Sequence, residues 1–241
     1  MKRSVNDGPS PPDPGKASHL IQGQQVSMPV QVREASGCSA LFLVPADRAQ
    51  SVIDYSGLKV LRPFPGKAVC SLLFIRYTDN DLGSYNEFGV NFLVQPPDRG
   101  RVGMFVHWLP VTGSFTMEAG RSIWGYPKEL ADIRLNGHEC VVSMDGRPVI
   151  GMRVRLGLPV PGGAMNSAVP AFSCMDGVTR RIEWSMRPEG VRSRYGGARI
   201  QLGDHPIADQ LRSLGLPKRA VMSSTIRQMQ ATIFDAETVT V

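Results

Sequence analysis

Tyr85-Asn86-Glu87-Phe88-Gly89-Val90-Asn91-Phe92-Leu93-Val94 alternates with a period of two. Phe88, Val90, Phe92 and Val94 share one face, and Tyr85, Glu87, Gly89 and Asn91 share the other. That is the side-chain period of a strand, and so regular an apolar face needs a core to cover it. The default place for Glu87, on the opposite face, is solvent. In a closed or cone-shaped sheet the same face lines a cavity, and Gly89 leaves room there for a ligand.

The flanking segments continue the pattern. Ala68 to Tyr77 is a strongly apolar strand, joined to the first through the turn-rich Thr78–Gly83. Ala40 to Val44 reads as an earlier buried strand, Asp47 to Asp54 as a short helix, Val102 to Leu109 as a further strand and Phe115 to Arg121 as a second short helix. Met144-Asp145-Gly146 and Met175-Asp176-Gly177 repeat one hairpin cue, because Asp-Gly supplies the positive φ of a tight turn. Between them Ile150, Met152, Val154 and Leu156 alternate with Gly151, Arg153 and Arg155 as a half-buried strand, and Pro159 to Gly163 is a Pro/Gly loop, a lid or crossover. The expected fold class is α+β, mainly β, with few short helices.

The 241 residues suffice for one substantial core, and nothing in the middle reads as a domain linker. Residues 1–29, with five prolines among Ser, Gly, Asn and Gln, are expected to be a flexible N-terminal arm, and 30–241 a single domain. No run approaches the roughly 18 apolar residues of a membrane span, and no export signal is visible. Cys38, Cys70, Cys140 and Cys174 lie far apart in or beside apolar runs and read as reduced core residues, so a cytoplasmic protein is expected. His19, His107, His138 and His205 show no ligand spacing, so neither a metal nor a cofactor is expected. The net charge of +6 gathers loosely at Arg180, Arg181, Arg187, Arg192, Arg194 and Arg199 without interleaved aromatics, which reads as a solvated face rather than a nucleic-acid site.

Chemistry centres on Gly120-Arg121-Ser122-Ile123-Trp124-Gly125-Tyr126-Pro127-Lys128-Glu129-Leu130, where a lysine follows a proline in an apolar, glycine-punctuated turn. A lysine attacks a carbonyl only as the free amine, a form favoured by burial or a neighbouring cation. Trp124, Tyr126, Pro127 and Leu130 would supply the burial. The plainer reading is an exposed loop lysine before a strand.

This run resembles the signature of the acetoacetate decarboxylase family, in which a Gly-Arg pair precedes an aromatic-Pro-Lys step. Gly83-Ser84-Tyr85-Asn86-Glu87 resembles the family segment that delivers an active-site glutamate. Gly197-Ala198-Arg199-Ile200-Gln201-Leu202-Gly203-Asp204-His205-Pro206 and Met222-Ser223-Ser224 resemble its C-terminal pattern. The resemblance spans about residues 30 to 237. It implies large curved antiparallel sheets around a cone- or barrel-like cavity, a homo-oligomer, and a small keto acid as substrate. It also implies a Schiff base on Lys128 with Glu87 as polar partner. A second family glutamate falls on Leu72 by ungapped alignment, and Arg33 is the nearest candidate for the family's N-terminal arginine. Asp204, His205 and Ser223 read as turn residues rather than a catalytic set.

One departure is informative: the decarboxylase has a second lysine after the nucleophile, and here that position is Glu129. Facing away, Glu129 is irrelevant to the chemistry; facing the pocket, it is an acid/base suited to proton abstraction and dehydration. The candidate catalytic residues are therefore Lys128, Glu87 and Glu129. The candidate substrate-binding residues are Tyr126, Trp124 and Arg121, the last with a second reading as an anchor of the turn. Three further functions stay open beside the decarboxylase-like lyase: a pyruvate aldolase-dehydratase, a biosynthetic dehydratase or cyclase, and a non-catalytic small-molecule-binding module.

Overall fold

The computed structural model describes residues 17–96, 100–160 and 169–241. A hairpin of β1 (Ser18–Ile21) and β2 (Gln24–Ser27) leads into the long strand β3 (Val30–Pro45) and helix α1 (Ala46–Ile53). There follow β4 (Lys59–Val60), β5 (Lys67–Asn80), β6 (Tyr85–Gln95), β7 (Gly103–Val111), helix α2 (Ser114–Trp124) and β8 (Lys128–Leu130). Next come β9 (Asp132–Asn136), β10 (Glu139–Met144), β11 (Arg147–Val154), β12 (Leu158–Pro159), β13 (Ala171–Met175) and β14 (Val178–Glu189). The chain ends with β15 (Arg192–Tyr195), β16 (Ala198–Leu202), helix α3 (Pro206–Ser213) and β17 (Met222–Thr238).

Seven strands close on themselves in the order β3-β5-β6-β7-β13-β14-β17, and β17 returns to pair with β3. The β7–β13 pairing is parallel and the others are antiparallel, so the barrel is mixed. Register shifts in β3, β14 and β17 mark bulges, which bend long strands enough to close a barrel. A separate four-stranded sheet, β16-β11-β10-β9, packs outside.

The alternation of β6 divides the interior in two. Phe88, Val90, Phe92 and Val94 enter a core with Phe42, Leu72 and Phe105 of the barrel and Val142, Ile150 and Met152 of the outer sheet. Tyr85, Glu87 and Asn91 turn into the barrel instead. Both Asp-Gly cues form hairpin turns with positive φ at each residue: Asp145 50°, Gly146 74°, Asp176 53° and Gly177 73°. All four cysteines are buried and unpaired, and Arg187, Arg192, Arg194 and Arg199 are exposed. Among the described residues no helix is long and apolar enough to cross a membrane.

Two expectations need correction. The arm does not extend to residue 29: the hairpin from Ser18 to Ser27 is ordered, and Ile21, Val26 and Met28 are buried in the core formed by α2 and the barrel. Those three apolar side chains find a surface to cover, which outweighs the polar composition around them. Residues 1–16 lie outside the described residues. Leu156 is exposed because β11 ends at Val154, before the alternation can bury it. Of the Pro159–Gly163 loop, Pro159 closes β12, and 161–163 lie outside the described residues.

Candidate active site

A cavity of about 60 Å3 lies inside the barrel, with side chains from all seven closing strands in its wall, joined by Trp124, Tyr126 and Lys128. At about 15 Å3 of such volume per water, it has room for roughly four waters, the scale of a small organic acid.

Helix α2 and strand β8 bring Lys128 there. The buried residues of α2, Thr116, Ala119, Gly120, Ile123 and Trp124, follow helical spacing and face the barrel. The helix stops at Gly125, whose φ of 62° suits a left-handed cap and whose N–H donates to the Arg121 carbonyl at 3.0 Å. After Pro127 the chain becomes β8, which pairs in parallel with β7, Lys128 opposite Leu109 and Glu129 opposite Pro110. The aliphatic stem of Lys128 runs directly over Gly120, where a Cβ would stand 2.4 Å from the lysine Cδ. The glycine of the Gly-Arg pair is therefore the floor on which the lysine lies.

Lys128 is 3% exposed and Glu87 6%. Lys128 Nζ lies 3.1 Å from Glu87 Oε2, donates to Thr116 Oγ1 at 3.0 Å, and sits 4.9 Å from the centroid of the Tyr85 ring. Tyr77 donates its hydroxyl to Glu87 Oε1 at 3.1 Å and stacks on Tyr85 with ring centroids 4.5 Å apart. Burial, and then the Glu87 carboxylate, push Tyr77, Tyr85 and Tyr126 above the ordinary tyrosine range, so all three remain neutral hydroxyls. A buried ion pair contributes little net stability compared with apolar side chains of similar volume. Its place in a lumen with free space therefore points to chemistry.

The structure brings Lys128, Glu87, Tyr126 and Trp124 together; Trp124 is fixed by its indole N–H donating to the Phe234 carbonyl at 2.8 Å. The solvent-exposed default for Glu87 fails because the sheet closes. Glu129 is not in the cavity wall: strand alternation turns it to the other side of β8, where its Oε2 accepts from Trp108 Nε1 at 2.9 Å. Arg121 is exposed in the last turn of α2, also outside the cavity. Arg33 points away from the lumen and pairs with Asp79 and Asp81 at 2.8 and 2.5 Å. Leu72 lies in the outer core, and the β5 positions that face the lumen beside Glu87 are Leu73 and Ile75. His205 caps α3, its Nδ1 accepting from the Ile207 N–H at 3.3 Å.

Sequence reasoning missed Thr116, Tyr77, Asn91 and Trp184. Tyr77 had a signal, since the hairpin register sets it opposite Tyr85, and Asn91 lies on the same strand face as Glu87. Thr116 and Trp184 reach the site only through tertiary packing. Four buried side-chain polar atoms among the described residues lack a hydrogen-bond partner: Asn91 Nδ2, Tyr126 Oη, Trp184 Nε1 and Ser223 Oγ. The first three belong to the cavity wall.

A family model described as acetoacetate decarboxylase matches residues 16–240. Acetoacetate decarboxylase from Legionella pneumophila superposes with a TM-score of 0.71 at 18% identity, over 88% of this chain and 87% of that one. An acetoacetate decarboxylase-like enzyme from Sphingomonas wittichii RW1 gives 0.67 at 16% identity, over 93% and 99%. The enduracididine biosynthesis enzyme MppR, complexed with the condensation product of pyruvate and imidazole 4-carboxaldehyde, gives 0.68 at 14%, over 87% and 88%. At these identities the three structures establish a shared fold. No curated protein matches the sequence.

Proposed function

Since the chain belongs to the acetoacetate decarboxylase family, an enzyme family with decarboxylase and related activities, we propose that it is a cofactor-free lyase that forms a Schiff base between Lys128 and a small keto acid. The observation that carries this reading is a lysine amine buried in a cavity of about 60 Å3 with a carboxylate 3.1 Å away. Glu87 takes a proton from the ammonium, and the free amine adds to the substrate ketone. Glu87 returns that proton to the carbinolamine hydroxyl, and loss of water gives an iminium. With a 3-oxo acid the bond to the carboxyl carbon then breaks, its electron pair flows into the iminium to leave a neutral enamine, and carbon dioxide departs. Protonation of the enamine carbon and hydrolysis release the ketone and return the amine. Thr116 and the Tyr85 ring hold the lysine nitrogen in place, and Tyr77 orients Glu87.

A pyruvate aldolase-dehydratase would use the same lysine. Much of its support rested on Glu129 as an additional acid/base, and Glu129 faces Trp108 outside the cavity; decarboxylation is the reading that needs no such group. The test is borohydride reduction in the presence of acetoacetate or of pyruvate, followed by peptide mass mapping. A reduced adduct on Lys128 is expected, with carbon dioxide released from acetoacetate. Absence of any adduct with both acids would overturn the imine. Lys128→Ala is expected to lower turnover about a thousandfold; ligand binding that survives this change, in a protein without turnover, would mark a binding module instead.

A further inference from the structure

Lys128 and Glu87 are the only charged side chains in the wall of the cavity among the described residues, and they face each other. Among the described residues no arginine enters the wall. A keto acid brings a second charged end, and once its ketone is at Lys128 that end meets no further cation among the described residues of the wall. The wall does offer donors: the amide of Asn91, the hydroxyl of Tyr126 and the indole N–H of Trp184 are each buried without a partner. Buried donors are almost always satisfied, so three orphans in one cavity mark the place of an acceptor the protein does not supply. Tyr126 lines the same cavity as Lys128 and Glu87. Asn91 leans back along β6 over Gly89, where a Cβ would stand 3.0 Å from its Nδ2, so the absence of a side chain at 89 leaves room for the amide on the strand face that carries Glu87.

We infer that Asn91 and Tyr126, with Trp184 on the opposite wall, hold the carboxylate of the keto acid by neutral hydrogen bonds in place of a cation, and so determine which small acids the site accepts. This rests on the imine reading for the position of the ketone. Neutral donors orient the carboxylate without fixing its charge as a guanidinium would. Decarboxylation then converts a zwitterion, iminium and carboxylate, into an uncharged enamine and carbon dioxide, a change that an apolar lumen favours.

The experiment measures borohydride trapping on Lys128 as a function of acetoacetate, and separately of acetone, which has the ketone but no carboxylate. In Asn91→Leu and Tyr126→Phe the half-saturating acetoacetate concentration should rise about tenfold more than that of acetone. An equal loss for both ligands, or no loss for either, overturns the assignment. Acetoacetamide, similar in shape and uncharged, should half-saturate the wild type within about tenfold of acetoacetate; a hundredfold preference for the acid would reveal a cation and also overturn it. Tyr126→Phe removes an unpaired buried hydroxyl, so the ligand-free variant should fold and melt at or above the wild-type temperature. If the wild type traps nothing, the imine reading falls, and calorimetry with 3-hydroxybutanoate decides on the donors alone: weaker binding in both variants upholds them and unchanged binding rejects them.

Discussion

Gly120 shows how a glycine conserves a geometry by what it leaves out. An alanine there would favour the helix by up to about 1 kcal/mol, yet its methyl group would occupy the space of the Lys128 stem. Gly120→Ala is therefore expected to melt near the wild-type temperature and to trap acetoacetate about a hundredfold more slowly, since a shift of about 1 Å at a reacting group costs that much. Glu129 gives the opposite profile. In Glu129→Ala the Trp108 indole loses its acceptor, which should cost about 1–2 kcal/mol, read as a drop of a few degrees in melting temperature, with trapping within a few-fold of wild type. A large loss of trapping in that variant would bring Glu129 back into the chemistry. The sequence supplied the alternation that separates Lys128 from Glu129, but not which of the two faces inward. That depends on the parallel pairing of β8 with β7, a contact local patterning does not encode.

For the elements, legibility followed locality. The strand at β6, both short helices before the Lys128 motif and the two Asp-Gly turns are written in periods and turn chemistry of a few residues. The hairpin β1–β2 was not, because its three buried side chains are sparse within a polar segment and acquire meaning only against α2. Nor was the alignment to Leu72, where a one-residue step along a strand exchanges the two cores. β7 also carries a titratable link to α3: His107 Nε2 donates to Gln210 Oε1 at 2.9 Å, and its Nδ1 meets the Tyr55 hydroxyl at 3.1 Å. Burial lowers the pKa of His107 from its ordinary 6.5. The unfolded chain then binds a proton that the fold refuses, so stability present at pH 7 declines as pH falls below about 6.5. Denaturant melts between pH 7 and 5 should show this loss, and His107→Gln should flatten it.

At the scale of the whole molecule, the N-terminal hairpin and the barrel act as one body. His19 Nε2 lies 2.7 Å from Asp235 Oδ1 of β17, and Ile21, Val26 and Met28 pack into the core that includes Trp124 and Tyr126. Removing residues 1–28 should expose these surfaces and lower stability by on the order of 5 kcal/mol, from roughly 1.5–3 kcal/mol per buried side chain. Chemical denaturation of the shortened chain would check it; an unchanged midpoint would make the hairpin an accessory. The class of fold was readable from sequence because three motifs that resemble the family fall in order along the chain. The lumen itself was not, since its wall is assembled from positions scattered between Val30 and Ile233.

Closure of the barrel sets a clock on the protein's birth. Leu41 pairs with Met222 and Val30 with Ile233, so the seam joins two long strands separated by most of the described chain. Such distant pairing makes folding slow and late. Lys128 and Glu87 can be synthesised, and their local hairpins formed, well before any lumen surrounds them. A chain halted before β17 would carry both residues and still have no enclosed chamber, which makes the imine proposed at Lys128 a readout of barrel closure as much as of chemistry. Ribosome-stalled chains of increasing length should therefore gain the borohydride adduct in one step, only after residue 238 has cleared the exit tunnel.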